Sequence, residues 1–281
     1  MTSHPGTDSN STEASNNTDE LLAIALAIAL EAGELAAARR AEGVEVAASK
    51  SSVEDIVTAA DRETEALIRA RLREQRPDDG FFGEESGAEV GTSGLTWVVD
   101  PIDGTVNFLY GFPNYAISIA VVAGEPDPAT WTALAGVVLN PASGEVYTAT
   151  AGGGAYLGEQ KLSVAAHVEL SQALVGTGFS YRAAVRLEQA AVIAGLIGEV
   201  RDIRRMGSAA LDLCAVAAGR LNAYFERELN PWDQAAGALI ATEAGARVSG
   251  LRGAPPTSAF VLAGEPTVAA ELEEALLRLG A

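Results

Sequence analysis

Apolar residues recur along this chain at two spacings, one helical and one extended, and the changes between them mark out its elements. From Asp19 or Glu20 to about Arg40, Ala, Leu and Glu dominate around "LLAIALAIAL" (21–30) and predict a first helix. "DIVTAADRETEALIRARLREQRP" predicts a second helix ending before Pro77, with "SKSSVED" as the loop between the two. "TWVVD" and "YAISIAVVAG" read as buried strands. "ALAGVVLNPASGEVYTATAGGGAYLG" reads as strand, turn, strand and hairpin, punctuated by Gly and Pro. From "SQALVGTGFS" onward strands alternate with helices around 183–198, 207–219 and 231–245, and "PTVAAELEEALLRLG" closes the chain as a helix.

The pattern changes near 165–170 without a linker and with no internal repeat. These residues therefore predict a mixed α and β protein with an N-terminal α+β half (20–165) and a C-terminal α/β half (166–281). Residues 1–19 are polar and of low complexity, with no apolar surface to offset ordering entropy, and are expected to form a disordered tail. Two Asn-x-Thr triplets there, at Asn10 and Asn16, are taken as chance. The run 21–30 is flanked by Asp19, Glu20 and Glu31 rather than by Lys or Arg. It is also shorter than the roughly 20 apolar residues a bilayer requires, so it reads as the buried face of a helix.

With 281 residues, 48% of them hydrophobic, the chain can bury a large core. Its net charge of −19 argues against a nucleic-acid or anionic-membrane partner, since both demand clustered Lys and Arg. An acidic chain can still bind a phosphate ester through metal cations held by carboxylates. The single cysteine, Cys214, permits no intrachain disulfide and suits a reducing cytoplasm; within "ALDLCAVAAG" it reads as core packing. His4 and His167 have no second histidine at ligand spacing, so a histidine metal site or a triad is unsupported. "AGGGAYLG" lacks the G-x-G-x-x-G order and follows a hairpin, so it reads as a glycine turn rather than a nucleotide loop.

The candidate chemistry is concentrated in "WVVDPIDGTVNF" (97–108), where a buried strand runs into Asp100 and Asp103. Pro101 stiffens the turn between them. Two close carboxylates away from water must share a proton or bind cations, and hard oxygen ligands suit Mg²⁺. Gly104 and Thr105 follow at once. Gly104 allows a tight turn, and a helix starting there would turn free N–H groups toward an anion. Two further acidic patches are Glu84 with Glu85 in "FFGEESG" and Asp233 beside Trp232 in "LNPWDQAAGALIATEAG". Singly, such residues are more often a solvated pair and a helix cap.

Together, "GEES", "WVVDPIDGTVNF" and "PWDQAAGALIATEAG", in this order, resemble the inositol monophosphatase family of Mg²⁺-dependent, lithium-sensitive phosphatases, with bacterial inositol-1-monophosphatases as the nearest subgroup. The resemblance covers roughly residues 20–280. It implies a layered α-β-α-β-α sandwich of the sugar phosphatase type, a homodimer, and hydrolysis of inositol 1-phosphate, a small polyol phosphate, by direct attack of a metal-activated water. No phosphoenzyme is needed.

The resemblance also assigns roles. Glu84, Asp100 and the backbone carbonyl of Ile102 would hold one Mg²⁺, and Asp100, Asp103 and Asp233 a second. Glu84 with waters would hold a weaker third, making two to three ions. Asp61, in "IVTAAD", matches the acid that bonds the threonine of the DGT motif, here Thr105; these two and Glu84 form the catalytic group. Gly104 and Thr105 would bind phosphate. Asp103, Gly207, Ser208, Ala209 and Glu226 would contact the substrate, Glu226 accepting bonds from ring hydroxyls. Lys50 matches a mobile-loop lysine near the metals.

Val106 and Ser208 stand where many relatives have threonine, and neither change removes a metal ligand. Glu228 and Asn230 lie in a variable stretch before Trp232, which leaves substrate preference open. The alternatives within the family are histidinol phosphate, fructose 1,6-bisphosphate and a 3′-phosphonucleotide. A bisphosphate needs extra basic residues, and Arg182, Arg186, Arg201, Arg204 and Arg205 keep that option open. Outside enzymology, the alternative is a binding or regulatory protein that keeps the site. The complete set of acids argues against it.

Overall fold

The computed structural model describes residues 9–43, 46–49 and 56–281. Lys50 and most of the "SKSSVED" loop lie outside them. The chain opens with α1 (Ser9–Glu42), a ribbon of β1 (Val46–Ser49) and β2 (Ile56–Thr58), and α2 (Ala59–Gln75). Then come β3 (Gly80–Gly83), β4 (Gly87–Glu89), β5 (Leu95–Asp103), α3 (Thr105–Tyr110), β6 (Ala116–Ala123), β7 (Thr132–Asn140), β8 (Glu145–Thr150), β9 (Gly154–Leu157) and β10 (Gln160–Lys161). The remainder is β11 (Leu174–Thr177), α4 (Ala183–Leu196), β12 (Asp202–Arg204), α5 (Ala209–Ala217), β13 (Ala223–Glu226), α6 (Pro231–Glu243), β14 (Arg247–Ser249), β15 (Val261–Gly264) and α7 (Pro266–Leu279).

Two sheets organise these elements. One has eight strands in the order β10-β9-β8-β7-β6-β5-β3-β4, the other five in the order β12-β11-β13-β15-β14. The chain passes from the first to the second between Lys161 and Leu174. Helices α1 and α2 cover one face of the large sheet, packing on Trp97, Val99, Ile117, Ile119 and Val137. Helices α5 and α6 fill the space between the sheets, and α4 with α7 cover the far face of the small one. The result is the α-β-α-β-α sandwich. Because both faces of each sheet are covered, β6 ("AISIAVVA") is apolar along its length. Ile117, Ile119 and Val121 point to α1, and Ala116, Ala120 and Val122 to α6.

Small residues in the middle layer follow from this packing. A Cβ at Gly136 of β7 would stand 3.1 Å from the Ala236 Cα, and one at Gly237 would stand 2.9 Å from the Leu213 Cβ. The Gly- and Ala-rich sequence of α6 thus lets a helix lie directly on the sheet and on α5.

Helix α1 differs from expectation at its start. It begins at Ser9 rather than at Asp19 or Glu20, because lengthening an existing helix avoids the cost of nucleation. Thr18–Glu42 is long and apolar enough by composition to cross a membrane, more than the run 21–30 alone suggests. In this structure Leu21, Ala25, Ile28, Ala29, Ala32 and Ala36 form one stripe buried against the large sheet.

Candidate active site

Strand register brings the first two acids together. β3 and β5 run parallel, with Gly83 paired to Val99, and the Glu84 N–H donates to the Val99 carbonyl at 3.2 Å. Glu84 and Asp100 therefore stand side by side, each one residue past the end of the parallel pairing. Beyond Asp100, a bulge against β6 separates the pairs Asp100 with Ser118 and Asp103 with Ala116. The bulge turns both carboxylates to the same end of the sheet, and the Ile102 N–H donates to Asp100 Oδ1 at 3.0 Å. Gly104 then takes a left-handed conformation (φ 94°) and lies so close to neighbouring backbone that a Cβ would stand 3.0 Å from the carbonyls of Asn114 and Gly207.

The middle-layer helices supply the other side. Ser208 caps α5, and its hydroxyl donates to Asp103 Oδ2 at 2.6 Å while the Ala210 N–H donates to the same oxygen at 2.7 Å. Asp233 sits in the first turn of α6, where its Oδ2 accepts the Asn230 N–H at 2.6 Å. Glu84, Asp100, Ile102, Asp103, Gly104, Thr105, Gly207, Ala209, Glu226 and Asp233 line one cavity of about 550 Å³, with Trp232 in its wall. Packed edge-on against Phe82, Trp232 holds that wall in place.

Burial, then the charges of Glu84, Asp103 and Asp233, push the Asp100 carboxyl well above the usual range. Asp233 is raised likewise, by burial and then by Asp103 and Glu84. Asp103 rises to about 6; burial raises it, and the bonds from Ser208 and α5 and the Arg205 charge oppose the rise. These acids repel one another in a shared space that is short of positive charge.

Among the described residues, no group of three or more His, Cys, Asp or Glu side chains stands close enough together to hold a metal ion by itself. The acids instead form an open, oxygen-lined cavity whose mutual repulsion a divalent cation would relieve. Such an oxygen donor set fits a hard divalent cation that keeps several waters and completes its coordination with a bound phosphate rather than with an all-protein cage.

Asp61 lies behind the cavity. It sits in the first turn of α2, where its Oδ2 accepts the Thr58 N–H at 2.7 Å and the Thr58 hydroxyl. Its Oδ1 lies 3.3 Å from the Thr105 hydroxyl, which is equally far from the Ile102 carbonyl. Thr105 thus joins α2 to the acidic turn.

On the opposite wall, Glu226 ends β13. The Tyr224 hydroxyl donates to its Oε2 at 2.5 Å, and Gly178 approaches so closely that a Cβ there would overlap its carboxylate. Burial raises Glu226 to about 7, against the lowering effects of Tyr224 and Arg205. Ser208 does not line the cavity. Its hydroxyl is committed to Asp103 and to capping α5, so its part is to hold an acid in place rather than to touch a ligand.

Of the five arginines that kept a bisphosphate open, only Arg182 and Arg205 line the cavity. Arg182 is paired with Glu228, Arg186 donates to the Ser180 and Tyr181 carbonyls, Arg201 to the Gln172 carbonyl, and Arg204 pairs with Asp202. Glu228 itself has a left-handed backbone (φ 68°), a strained state for a side chain of its size, and is held by Arg182 and Ser180.

Sequence reasoning missed several residues. Asn107 received no role, yet its Nδ2 donates to the carbonyls of Asn114 and Met206 at 2.7 and 2.8 Å and ties the acidic turn to the loop before α5. Tyr224 stands two residues before Glu226; the period of two along a strand could have flagged it. Asp212 is 1% exposed, its Oδ1 has no hydrogen-bond partner, and burial followed by the charges of Glu226 and Asp103 raises it well above the usual range.

The layered fold and the acid-lined cavity at strand ends define a phosphatase architecture. The chain belongs to the inositol monophosphatase family, whose model matches residues 17–279, and is a phosphatase. It is 44% identical to the inositol-1-monophosphatase of Mycobacterium leprae, over 94% of this chain and 95% of that protein. The structure of Mycobacterium tuberculosis SuhB superimposes with a TM-score of 0.78 at 45% identity, covering 93% of this chain and 97% of that one. A Xylella fastidiosa relative named Nus factor SuhB is 40% identical over 80% of this chain and 84% of its own length.

Proposed function

We propose that the protein is a Mg²⁺-dependent phosphomonoesterase that hydrolyses inositol 1-phosphate to inositol and phosphate by direct attack of water. The observation that carries this reading is the set of four acids, Glu84, Asp100, Asp103 and Asp233, lining one cavity with the Thr105 to Asp61 pair at its edge. Glu84, Asp100 and the Ile102 carbonyl would hold one ion, Asp100, Asp103 and Asp233 a second, and Glu84 a weaker third. When bound, magnesium lowers the pKa of water, polarises the phosphoryl group and neutralises the leaving alkoxide.

The chain's own residues set the geometry. Asp61, fixed by Thr58, orients the Thr105 hydroxyl; as the attacking water gives a proton to Thr105 Oγ1, the hydroxyl's own proton passes to Asp61 Oδ1, and Glu84 helps to orient the water. Gly104 and Thr105 present backbone N–H groups to the phosphate. Glu226, lining the same cavity as Gly207 and Ala209, accepts hydrogen bonds from ring hydroxyls. A carboxylate there favours a neutral polyol over a second phosphate, and the scarcity of unpaired arginine supports the same preference. Lithium sensitivity, a homodimer and a cytoplasmic setting are parts of the same proposal, drawn from the family.

Phosphate release with Mg²⁺ from inositol 1-phosphate, histidinol phosphate, fructose 1,6-bisphosphate and a 3′-phosphonucleotide, with and without lithium, tests it. A clear lead for inositol 1-phosphate that lithium suppresses supports the reading. A lead for another ester replaces the substrate. A flat panel favours the second reading, a regulatory role, which the name of the Xylella relative brings forward.

A further inference from the structure

Helix α2 carries two buried carboxylates one turn apart on the same face, Asp61 and Glu65. Asp61 reaches the turn after β5 through Thr105. Glu65 reaches the turn after β3, where its Oε2 accepts the backbone N–H of Glu85 at 2.8 Å, one residue beyond Glu84. Glu65 is 3% exposed and does not line the cavity, so it has no direct part in binding a ligand. Burying a carboxylate is costly unless it is hydrogen-bonded, and the bond to Glu85 is what offsets that cost here.

The surroundings are built around this contact. Gly83 leaves room for the carboxylate, since a Cβ there would stand 2.4 Å from Glu65 Oε2 and 2.5 Å from Phe81 Cε1. Arg62, three residues earlier on α2, stands 3.9 Å from the Glu85 carboxylate. At the strand end itself, the turn is held by the Glu84 N–H to the Val99 carbonyl.

We propose that Glu65 is a positioning residue for magnesium binding: with Asp61, it makes α2 the brace that fixes the Glu84 turn against the turn carrying Asp100 and Thr105. The proposal rests on the reading of Glu84 as a magnesium ligand. Groups that orient a metal's ligands change affinity by roughly 10- to 100-fold when removed, because a ligand that is out of place must be reordered on binding.

Magnesium binding is measured by calorimetry on wild type, Glu65→Gln, Glu65→Leu, Gly83→Ala and Glu84→Gln, with the metal-free Tm of each. Glu65→Gln keeps a carbonyl oxygen for the Glu85 N–H, so its affinity stays within about threefold of wild type. Glu65→Leu, which removes the acceptor, weakens binding by roughly tenfold or more, and Gly83→Ala, which displaces the carboxylate, weakens it in the same direction. A residue that merely stabilised the fold would lower the Tm of Glu65→Leu and leave the folded protein's magnesium affinity unchanged; that result overturns the proposal. Should Glu65→Leu not fold, wild-type affinity in Gly83→Ala overturns it equally. Wild-type affinity in Glu84→Gln removes the ligand reading and the proposal with it. Weakened Glu84→Gln beside unaffected Glu65→Leu removes the positioning role alone.

Discussion

Glu84 and Asp100 are neighbours by strand register: each follows the last paired residue of a parallel pair, Gly83 and Val99, so acids from two different strands stand side by side where that pairing ends. Without a cation, burial and this neighbour raise the Asp100 carboxyl. Asp100→Asn removes one charge from the cluster. The metal-free Tm should rise, by about 2–4 °C for each kcal/mol of repulsion relieved. The Tm increase on adding Mg²⁺ should shrink, and turnover should fall by about a thousandfold or more. Thermal melts with and without Mg²⁺, alongside phosphate release, check all three, and an unchanged metal-induced shift would count against Asp100 as a ligand.

Thr105→Val keeps the shape of the side chain and removes the hydroxyl that meets Asp61. General-base assistance contributes about 10²–10⁴-fold, so kcat should drop by roughly a hundredfold or more while KM stays within about threefold. Steady-state kinetics at saturating Mg²⁺ separate the two constants. A change confined to KM would give Thr105 a binding role instead.

Glu226→Gln removes the charge facing the polyol side of the cavity. A hydrogen bond to a charged acceptor contributes about 1.5–3 kcal/mol, so the ratio of kcat/KM for inositol 1-phosphate over a 3′-phosphonucleotide should fall by roughly ten- to a hundredfold. An unchanged substrate ranking would remove Glu226 from the account.

Stability of the metal-free protein should depend on pH in a specific direction. Asp103 is raised from 3.8 to about 6 and Glu226 from 4.5 to about 7, in each case mainly by burial. Between about pH 4 and 7 the folded chain therefore holds protons that the unfolded chain has released, and stability falls as pH rises through that window. Mg²⁺ favours the ionised acids of the cluster and should flatten the slope. Denaturant midpoints at pH 5 and 7, with EDTA or with Mg²⁺, measure it; a metal-free midpoint that rises with pH would contradict the cause assigned to these shifts.

Much of the fold was legible because its helices and strands are locally consistent. The apolar stripe of α1, the unbroken run of β6 and the capped starts of α5 and α6 each specify an element without reference to the rest. The four acids that line the cavity were legible because they fall in the compact motifs "GEES", "WVVDPIDGTVNF" and "PWDQAAG". What sequence could not supply was register. Nothing local says that Glu84 lands beside Asp100, that Ser208 turns to Asp103, or that Asn107 reaches Met206, since each depends on pairing between distant segments. Glu65 stands between these cases: its spacing from Asp61 is plain in the sequence, but its partner, the Glu85 N–H, belongs to another strand's turn.

The most direct test of the central claim, that these acids form a magnesium site serving phosphate-ester hydrolysis, is phosphate release from inositol 1-phosphate across a Mg²⁺ titration, with wild type and Asp100→Asn side by side. The account predicts wild-type release that rises from nothing to saturation with Mg²⁺, and release from folded Asp100→Asn slower by about a thousandfold or more at every concentration. Release by wild type without Mg²⁺, or equal rates in the two proteins, would contradict it.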